Sequence, residues 1–184
     1  MNKYFKFSFI ILFVVCTILT VALWQGLYSF IFAWVLNFML MMGVAYFTQI
    51  LKPKLSFTYF TAKEWENEGK TYKWFGIHGF RKMLVWIGWE KLNKASNPIK
   101  KNLDALKHLE YNTRQSEFGH LIIFFIVLAF TIVVIIYYGF QQSLWLIILN
   151  ILLNVYPIGV QRYNRPRLQK AINKFKNFSV ITNN

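Results

Sequence analysis

Charged residues are missing from two long stretches of this sequence. No residue in 7–51 or in 118–161 is Asp, Glu, Lys or Arg. In water both stretches would have to be buried on every face, and a chain of 22.0 kDa has too little other material to cover them. The lack of charge therefore excludes a soluble globular domain and a disordered chain. It predicts an integral membrane protein.

Cysteine and acidic residues are scarce as well. The single cysteine, Cys16, cannot form an internal disulfide, which excludes a disulfide-stabilised secreted scaffold; we interpret it as a packing residue. Only 7 Asp and Glu oppose 21 Lys and Arg, so the net charge is +14. A nucleic-acid binder can carry such a charge, but not with 56% hydrophobic residues and no nucleic-acid-binding motif. We therefore expect membrane lipids as partners and no nucleic acid.

Each uncharged stretch is long enough for two membrane-spanning helices, because a hydrocarbon core of about 30 Å takes about 20 helical residues. Aromatic residues, Gly and Gln interrupt the stretches at 24–26 and 137–142, where we predict that the chain reverses. The predicted spans are 7–24, 27–50, 119–138 and 143–161. The first stretch is too long for the apolar part of a signal peptide, so we expect the first span to be retained.

The predicted fold is an all-α integral membrane protein. Its four transmembrane helices form two hairpins, with a cytosolic or interfacial amphipathic helical segment between them. The boundaries are 1–51 for the first hairpin, 52–118 for the amphipathic segment, 119–161 for the second hairpin and 162–184 for a basic tail. Tryptophans alternate with basic residues in the amphipathic segment, which favours one or two helices in the headgroup layer. Lys52-Pro53 should end the second span, and Asn97-Pro98 should break the amphipathic segment.

Lys and Arg are confined to three regions of the chain. Two precede the first span, thirteen lie between Lys52 and Arg114, and six follow Gln161. Basic residues collect on the cytoplasmic side of membrane proteins. The N-terminus, the amphipathic segment and the C-terminus are therefore predicted to be cytoplasmic, and the basic tail is expected to form a surface helix.

A predicted helix over 104–117 continues into the third span and carries Arg114, Glu117 and His120. Steps of three residues place these side chains within an arc of about 120°. A carboxylate next to an imidazole at a partly dry boundary suits proton transfer, so we interpret Glu117 and His120 as a catalytic pair. His120 would be the general base and Arg114 a substrate contact. Two alternatives are a surface ion pair between Arg114 and Glu117, and a metal site built on Glu-x-x-His. We assign no metal ligand, because the spans offer no further acidic residue.

The last span ends in a polar run that is rich in arginine. Only five basic residues of this lysine-rich chain are Arg, and three of them lie within six residues here. Arg presents a planar fork to phosphate, carboxylate or sugar oxygens, although the positive-inside rule and the helix dipole also favour basic residues at this point. The arginines are expected to close the helix, and Pro157 to kink it. The predicted substrate-binding residues are Asn154, Arg162, Asn164, Arg165 and Arg167.

These motifs resemble the bacterial glycosyl-4,4'-diaponeurosporenoate acyltransferase family. The run 161–168, Gln-Arg-Tyr-Asn-Arg-Pro-Arg-Leu, resembles the C-terminal signature of that family, and Asn154 lies seven residues before it, as in the family. The Arg114, Glu117 and His120 step is similar to an Arg-Ala-Glu-x-x-His segment, with Ser116 in place of Ala. A looser stretch over 66–82 is similar as well.

The resemblance implies acyl transfer to the sugar hydroxyl of a glycosylated carotenoid acid in a bacterial cytoplasmic (inner) membrane. The acyl donor would be a thioester, such as acyl-CoA or acyl carrier protein, and no other cofactor is expected. The donor would arrive from the cytosol and the lipid-linked acceptor from the membrane leaflet. The alternative is a non-enzymatic membrane adaptor that binds a partner or anionic lipid through the amphipathic segment. Metal-dependent hydrolysis in the membrane is a third possibility.

Overall fold

A computed structural model describes residues 3–88, 91 and 102–182. The predicted break at Asn97-Pro98 lies outside these residues. Within them the chain forms helices and turns without any β-strand, which confirms the all-α prediction. The α-helices are α1 (Lys3–Gln25), α2 (Phe30–Leu51), α3 (Ile77–Trp86), α4 (Leu103–Tyr138), α5 (Leu144–Asn150) and α6 (Tyr156–Thr182). Shorter 3₁₀ segments occupy Thr58–Phe60, Glu64–Lys73 and Phe140–Ser143, and a π-helical turn occupies Ile151–Val155.

Four helical stretches are long and apolar enough to cross a membrane, as the missing charges predicted. They are Phe5–Gln25, Phe30–Leu51, Leu103–Tyr138 and Phe140–Asn177. Their most apolar windows have mean hydropathies between 1.9 and 3.0. The third and fourth stretches extend well beyond the predicted spans, because helical structure continues into polar sequence on one side of each.

Local signals fix both ends of α2. Ser29 precedes the helix, and its hydroxyl accepts a hydrogen bond from the Phe32 N–H at 3.0 Å. The N–H would otherwise have no partner in the first turn. At the other end Lys52 adopts a left-handed conformation with φ 43°, and Pro53 follows it. The predicted end of the second span at Lys52-Pro53 is thereby confirmed.

Helix α4 is one continuous helix of 36 residues. The prediction that the helix over 104–117 continues into the third span is therefore confirmed. The helix ends at Gly139, whose positive φ of 87° glycine adopts without steric cost.

The expectation that the arginines close the last helix is wrong, because α6 passes through them to Thr182. Pro166 lies inside the helix, where it removes a single backbone hydrogen bond, to the carbonyl of Arg162. The predicted kink at Pro157 stays a prediction; a π-helical turn, Ile151–Val155, lies just before this residue, and there the Tyr156 N–H bonds to the Ile151 carbonyl. Prolines and irregular turns are thus absorbed within a continuous helical segment.

The chain divides into two compact units. The first comprises Met1–Pro53 and Phe118–Pro157. Its apolar core draws on α1, α2, α4 and α5, and α2 packs against both α1 and α5. The buried core residues are Val14, Ile18, Phe32, Ala33, Leu36, Ile123, Val127, Val134, Leu146 and Leu149.

Most of the remaining apolar side chains of the first unit point outward. In α1, Phe9, Leu12 and Leu23 are 61%, 62% and 88% exposed. Uncharged helical stretches that expose large apolar side chains in this way are suited to contact with lipid hydrocarbon. This exposure supports the assignment of the chain as a membrane protein.

The second unit comprises Lys54–Glu117 and Ile158–Asn184. Its buried apolar residues include Leu55, Phe60, Ile77, Leu106 and Ile172. Among the described residues of this unit, the buried charged side chains are Glu66, Glu117, Arg162 and Arg165. Because an unpaired buried charge is very costly, these four require partners.

Candidate functional site

Two buried carboxylates and two buried guanidinium groups meet in the second unit. We call Glu66, Glu117, Arg162 and Arg165 the arginine–carboxylate cluster. Glu117 in α4 is fully buried, and its two oxygens accept hydrogen bonds from two residues of α6. Arg162 Nε donates to Glu117 Oε1 at 2.7 Å, and Arg165 Nη2 donates to Oε2. The cluster has no net charge, which makes its burial tolerable.

Arg162 is bonded through every nitrogen of its guanidinium group. Besides Glu117, it donates through Nη1 to Glu66 Oε1 at 2.6 Å and through Nη2 to the Tyr59 carbonyl at 2.8 Å. The guanidinium carbon also lies 4.5 Å from the centre of the Tyr59 ring, a favourable stacking arrangement. Arg162 thereby joins α6 to α4 and to the segment that precedes α3.

Arg165 is bonded in the same complete way, one helical turn later. Its Nε donates to the Thr113 hydroxyl at 3.1 Å, and its Nη1 donates to the Phe60 carbonyl at 3.0 Å. The Thr113 hydroxyl in turn donates to the Glu110 carbonyl at 2.7 Å. Both arginines therefore hold internal partners through their planar donor forks.

Glu66 lies in the 3₁₀ segment Glu64–Lys73 and is held from three directions. Its Oε1 accepts from Arg162 and from the Tyr72 hydroxyl at 2.6 Å, and its Oε2 accepts from the Lys63 N–H at 2.8 Å. Burial alone would raise the pKa of Glu66, but these hydrogen bonds outweigh it and lower the pKa below its ordinary value. Burial and the bond to Glu66 raise the pKa of Tyr72.

The backbone beside Glu66 turns through three left-handed residues. Asn67, Glu68 and Gly69 have φ of 44°, 54° and 83°. A Cβ on Gly69 would lie 2.9 Å from the Tyr163 carbonyl oxygen and 3.2 Å from that of Arg162, the carbonyl that Pro166 leaves without its helical donor. Only glycine lets the segment approach α6 this closely.

The other predicted contacts of this region have different environments. Arg114 donates to Glu110 Oε1 and to the Leu55 carbonyl, both at 2.8 Å. The alternative ion pair between Arg114 and Glu117 is not formed, because each has another partner. Arg167 is exposed, and its guanidinium carbon lies 3.6 Å from the centre of the Tyr163 ring. Asn164 is half-buried.

The first unit contains a second polar cluster, in an otherwise apolar environment. We call Asn37, His120, Asn150 and Asn154 the asparagine–histidine cluster. Asn154 lies in the π-helical turn and is 1% exposed, and its Nδ2 donates to Asn37 Oδ1 at 2.8 Å and to Asn150 Oδ1 at 2.9 Å. Its Oδ1 lies 3.3 Å from His120 Nδ1. π-helical turns occur frequently at functional sites.

The structure brings five of the eight predicted site residues together in two groups. Glu117 meets Arg162 and Arg165, and His120 meets Asn154. The pairing of Glu117 with His120 stays a prediction, and the hydrogen bonds given above for the two residues go to different partners. Glu66 and Asn37 were not among the predicted site residues. Asn37 could have been identified as the only Asn in the uncharged stretch 7–51, whereas no local pattern marked Glu66.

Within the described part of the chain, no group of three or more His, Cys, Asp or Glu side chains is arranged to hold a metal ion. The buried side-chain nitrogen and oxygen atoms of the described residues all have hydrogen-bonding partners. The buried amide, carboxylate and guanidinium groups of both clusters therefore bond within the protein. Their chemistry is that of carboxylate, guanidinium, amide and imidazole groups.

A family model for glycosyl-4,4'-diaponeurosporenoate acyltransferase matches residues 56–174, which is more than half of the chain. The chain belongs to this family. The matched region contains Glu66, Glu117, His120 and the arginines of α6, so both clusters contribute residues to it. Membership of the glycosyl-4,4'-diaponeurosporenoate acyltransferase family supports an acyltransferase role. No significant match was found among the curated proteins or among the solved structures.

Proposed function

We propose that this chain transfers a fatty acyl group from a thioester donor to a hydroxyl of a lipid-linked, glycosylated carotenoid-like acceptor. The hydroxyl oxygen would attack the thioester carbonyl, an ester would form, and the carbon–sulfur bond would break to release a thiol. The observation that carries the proposal is His120, a half-buried imidazole held by Asn154 in a chain of an acyltransferase family. Acyl-CoA and acyl carrier protein are the proposed donors, because each carries its acyl group as a thioester.

His120 is the proposed general base. It takes the proton from the acceptor hydroxyl during attack and returns it to the leaving sulfur. A positioned base of this kind contributes about 100- to 10,000-fold to a rate. Asn154 is the side chain whose hydrogen bond supports the orientation of the ring. Glu117 is proposed to hold Arg162 and Arg165 in place, since both of its oxygens are bonded to them.

The remaining substrate contacts are proposed for residues with less enclosed side chains. Arg114, Asn164 and Arg167 would bind donor phosphates or sugar hydroxyls through their polar groups. Arg162 and Arg165 were predicted for the same task. Because each of their nitrogens already has an internal partner, a substrate would have to displace one of those partners to reach them.

We further propose that the four apolar helical stretches cross a bacterial cytoplasmic membrane as two hairpins, with both termini in the cytoplasm. The distribution of Lys and Arg supports this orientation. Trp74 and Trp86, 93% and 86% exposed, support a headgroup location for the segment around α3. Alkaline phosphatase fused after residue 26 or 140 should be active, and fused after residue 91 or 182 inactive; the reverse pattern would overturn the orientation.

The experiment for the activity compares lipid extracts by mass from cells that make a glycosylated carotenoid acid. Wild-type protein should convert it to a species heavier by one acyl chain. His120→Gln should abolish most of this product, while His108→Gln, an exposed histidine on the same helix, should retain it. Equal product from His120→Gln at equal protein level would refute the assigned base. No acylated product from wild-type protein would refute acyl transfer to this acceptor.

The exposed tryptophans also support the adaptor function as a second candidate. An adaptor that binds anionic lipid through the segment around α3 requires its exposed charges. Replacing Lys70, Lys73, Arg81 and Lys82 by Gln should then impair function more than His120→Gln does. For an acyltransferase, His120→Gln should impair function more than the four surface replacements do.

A further inference from the structure

The hydrogen bonds of the asparagine–histidine cluster determine which side-chain atom of each asparagine is the oxygen and which is the nitrogen. Asn37 Nδ2 lies 2.8 Å from the Ala33 carbonyl oxygen, and Asn150 Nδ2 lies 3.1 Å from the Phe124 carbonyl oxygen. A backbone carbonyl can only accept, so each of these atoms must be the NH₂ group of its amide. The oxygens of Asn37 and Asn150 are therefore turned towards Asn154.

The orientation of Asn154 follows from its two neighbours. Two amide oxygens, at 2.8 Å and 2.9 Å, face one end of Asn154, and only an NH₂ group can satisfy both. Both hydrogens of that group are then used. The other end of the amide, which faces His120 Nδ1 at 3.3 Å, is an oxygen and can only accept.

We infer that Asn37 is a positioning residue that, through Asn154, holds neutral His120 with its hydrogen on Nδ1 and its lone pair on Nε2. This inference rests on the proposed function in one respect, because it names Nε2 as the atom that takes the proton of the acceptor hydroxyl. When Nε2 accepts that proton, Nδ1 keeps its hydrogen bond to Asn154. The ring therefore need not turn during the reaction.

Asn37 contributes an acceptor that a hydrophobic residue of similar size cannot replace. In Asn37→Leu, one hydrogen of Asn154 loses its partner, and only the Asn150 oxygen still favours the original orientation, so a fraction of the molecules should turn the amide over and present its NH₂ group to His120. The ring would then carry its hydrogen on Nε2. Asn37→Asp is the matched control, since a neutral carboxylic acid in this apolar environment offers one donor for Ala33 and one acceptor for Asn154.

The experiment measures the nitrogen NMR spectrum of purified protein that contains histidine labelled with ¹⁵N at Nδ1 only. The chain has 3 histidines, and the signal of His120 is the one that His120→Gln removes. At alkaline pH, where the ring is neutral, wild type and Asn37→Asp should show a protonated Nδ1. Asn37→Leu should show loss of that proton in part or all of the molecules. An unprotonated Nδ1 in wild type, or an unchanged spectrum in Asn37→Leu, would overturn the inference.

Acyl transfer in membranes gives the second readout. Asn37→Leu should reduce the rate by about 10- to 100-fold, the range for hydrogen-bond partners of metal-binding histidines, while Asn37→Asp should stay near wild type. Equal loss in both variants would contradict a positioning role. If the spectra behave as expected and wild-type protein shows no acyl transfer, the proposed function fails while the assignment of the ring hydrogen stands.

Discussion

Glu117 and Arg162 are 45 residues apart in the chain and form a hydrogen-bonded ion pair at 2.7 Å, with side chains 0% and 8% exposed. The pair joins α4 to α6. Because Arg165 takes the second oxygen of Glu117, one carboxylate holds two arginines that lie almost one helical turn apart. If either partner is lost, the other keeps a buried charge without a counter-charge. The free-energy cost of that unpaired charge exceeds the stabilisation that the intact pair contributes.

Glu117→Gln should therefore destabilise the protein by about 3–5 kcal/mol, the usual cost of breaking a buried ion pair from one side. The measurement is thermal unfolding of protein purified in detergent. Glu68→Gln is the control, because Glu68 pairs with Lys170 at the surface, where both side chains are more than half exposed. That change should have little effect. Equal unfolding temperatures for the two variants would contradict a stabilising role for Glu117.

Arg162→Lys keeps the charge and should still be destabilising. A single ammonium group cannot reach Glu66, Glu117 and the Tyr59 carbonyl in the geometry of a guanidinium fork. Each lost hydrogen bond to a charged group costs about 1.5–3 kcal/mol. Arg81→Lys, at a half-buried position, is the matched control and should unfold near the wild-type temperature. If both variants unfold at the wild-type temperature, charge alone holds the cluster.

The membrane helices were predictable because lipid imposes one simple requirement, about 20 consecutive residues without charge. The four long apolar helices follow directly from the uncharged stretches. The extent of α6 could not be predicted from the sequence in this way, since the effect of Pro166 depends on contacts that are distant in sequence. Arg162 and Arg165 both lie in the turn where the proline removes a hydrogen bond, and they hold this turn to α4.

The candidate site was predictable only where local spacing carries the information. Asn150 and Asn154 are four residues apart, a spacing that places two side chains on one helix face, and the structure joins them by a hydrogen bond. The partner of Arg162 at Glu66 is 96 residues away, in a 3₁₀ segment that has no regular periodicity. The chemistry of arginine did indicate a carboxylate, phosphate or sugar, but the sequence could not distinguish an internal carboxylate from a ligand.

Glu66 should make stability depend on pH below neutrality. Its pKa is lower in the folded protein than the ordinary value of 4.5, so the unfolded chain takes up the proton first as pH falls. The stabilisation is thus complete at neutral pH and is lost as pH falls below about 4.5 and through the folded pKa. The difference in unfolding temperature between wild type and Glu66→Gln should shrink from pH 7 to pH 3.5. Glu64→Gln, at an exposed position, should show a small and constant difference; a constant difference for Glu66→Gln would refute the prediction.

Replacement by alanine is expected to lower the stability of the protein at Gly69 and to raise it at Gly79. Gly69→Ala places a Cβ 2.9 Å from the Tyr163 carbonyl oxygen at a residue with φ of 83°, so it should destabilise by at least about 1 kcal/mol. Gly79 lies within α3, and a Cβ there meets nothing within 4 Å. Gly79→Ala should stabilise by about 0.4–1 kcal/mol, because alanine has less freedom in the unfolded chain. Thermal unfolding measures both changes. If Gly69→Ala were tolerated as well as Gly79→Ala, the close approach of this segment to α6 would not be needed for folding, and the arginine–carboxylate cluster would have to be held by its ion pairs alone.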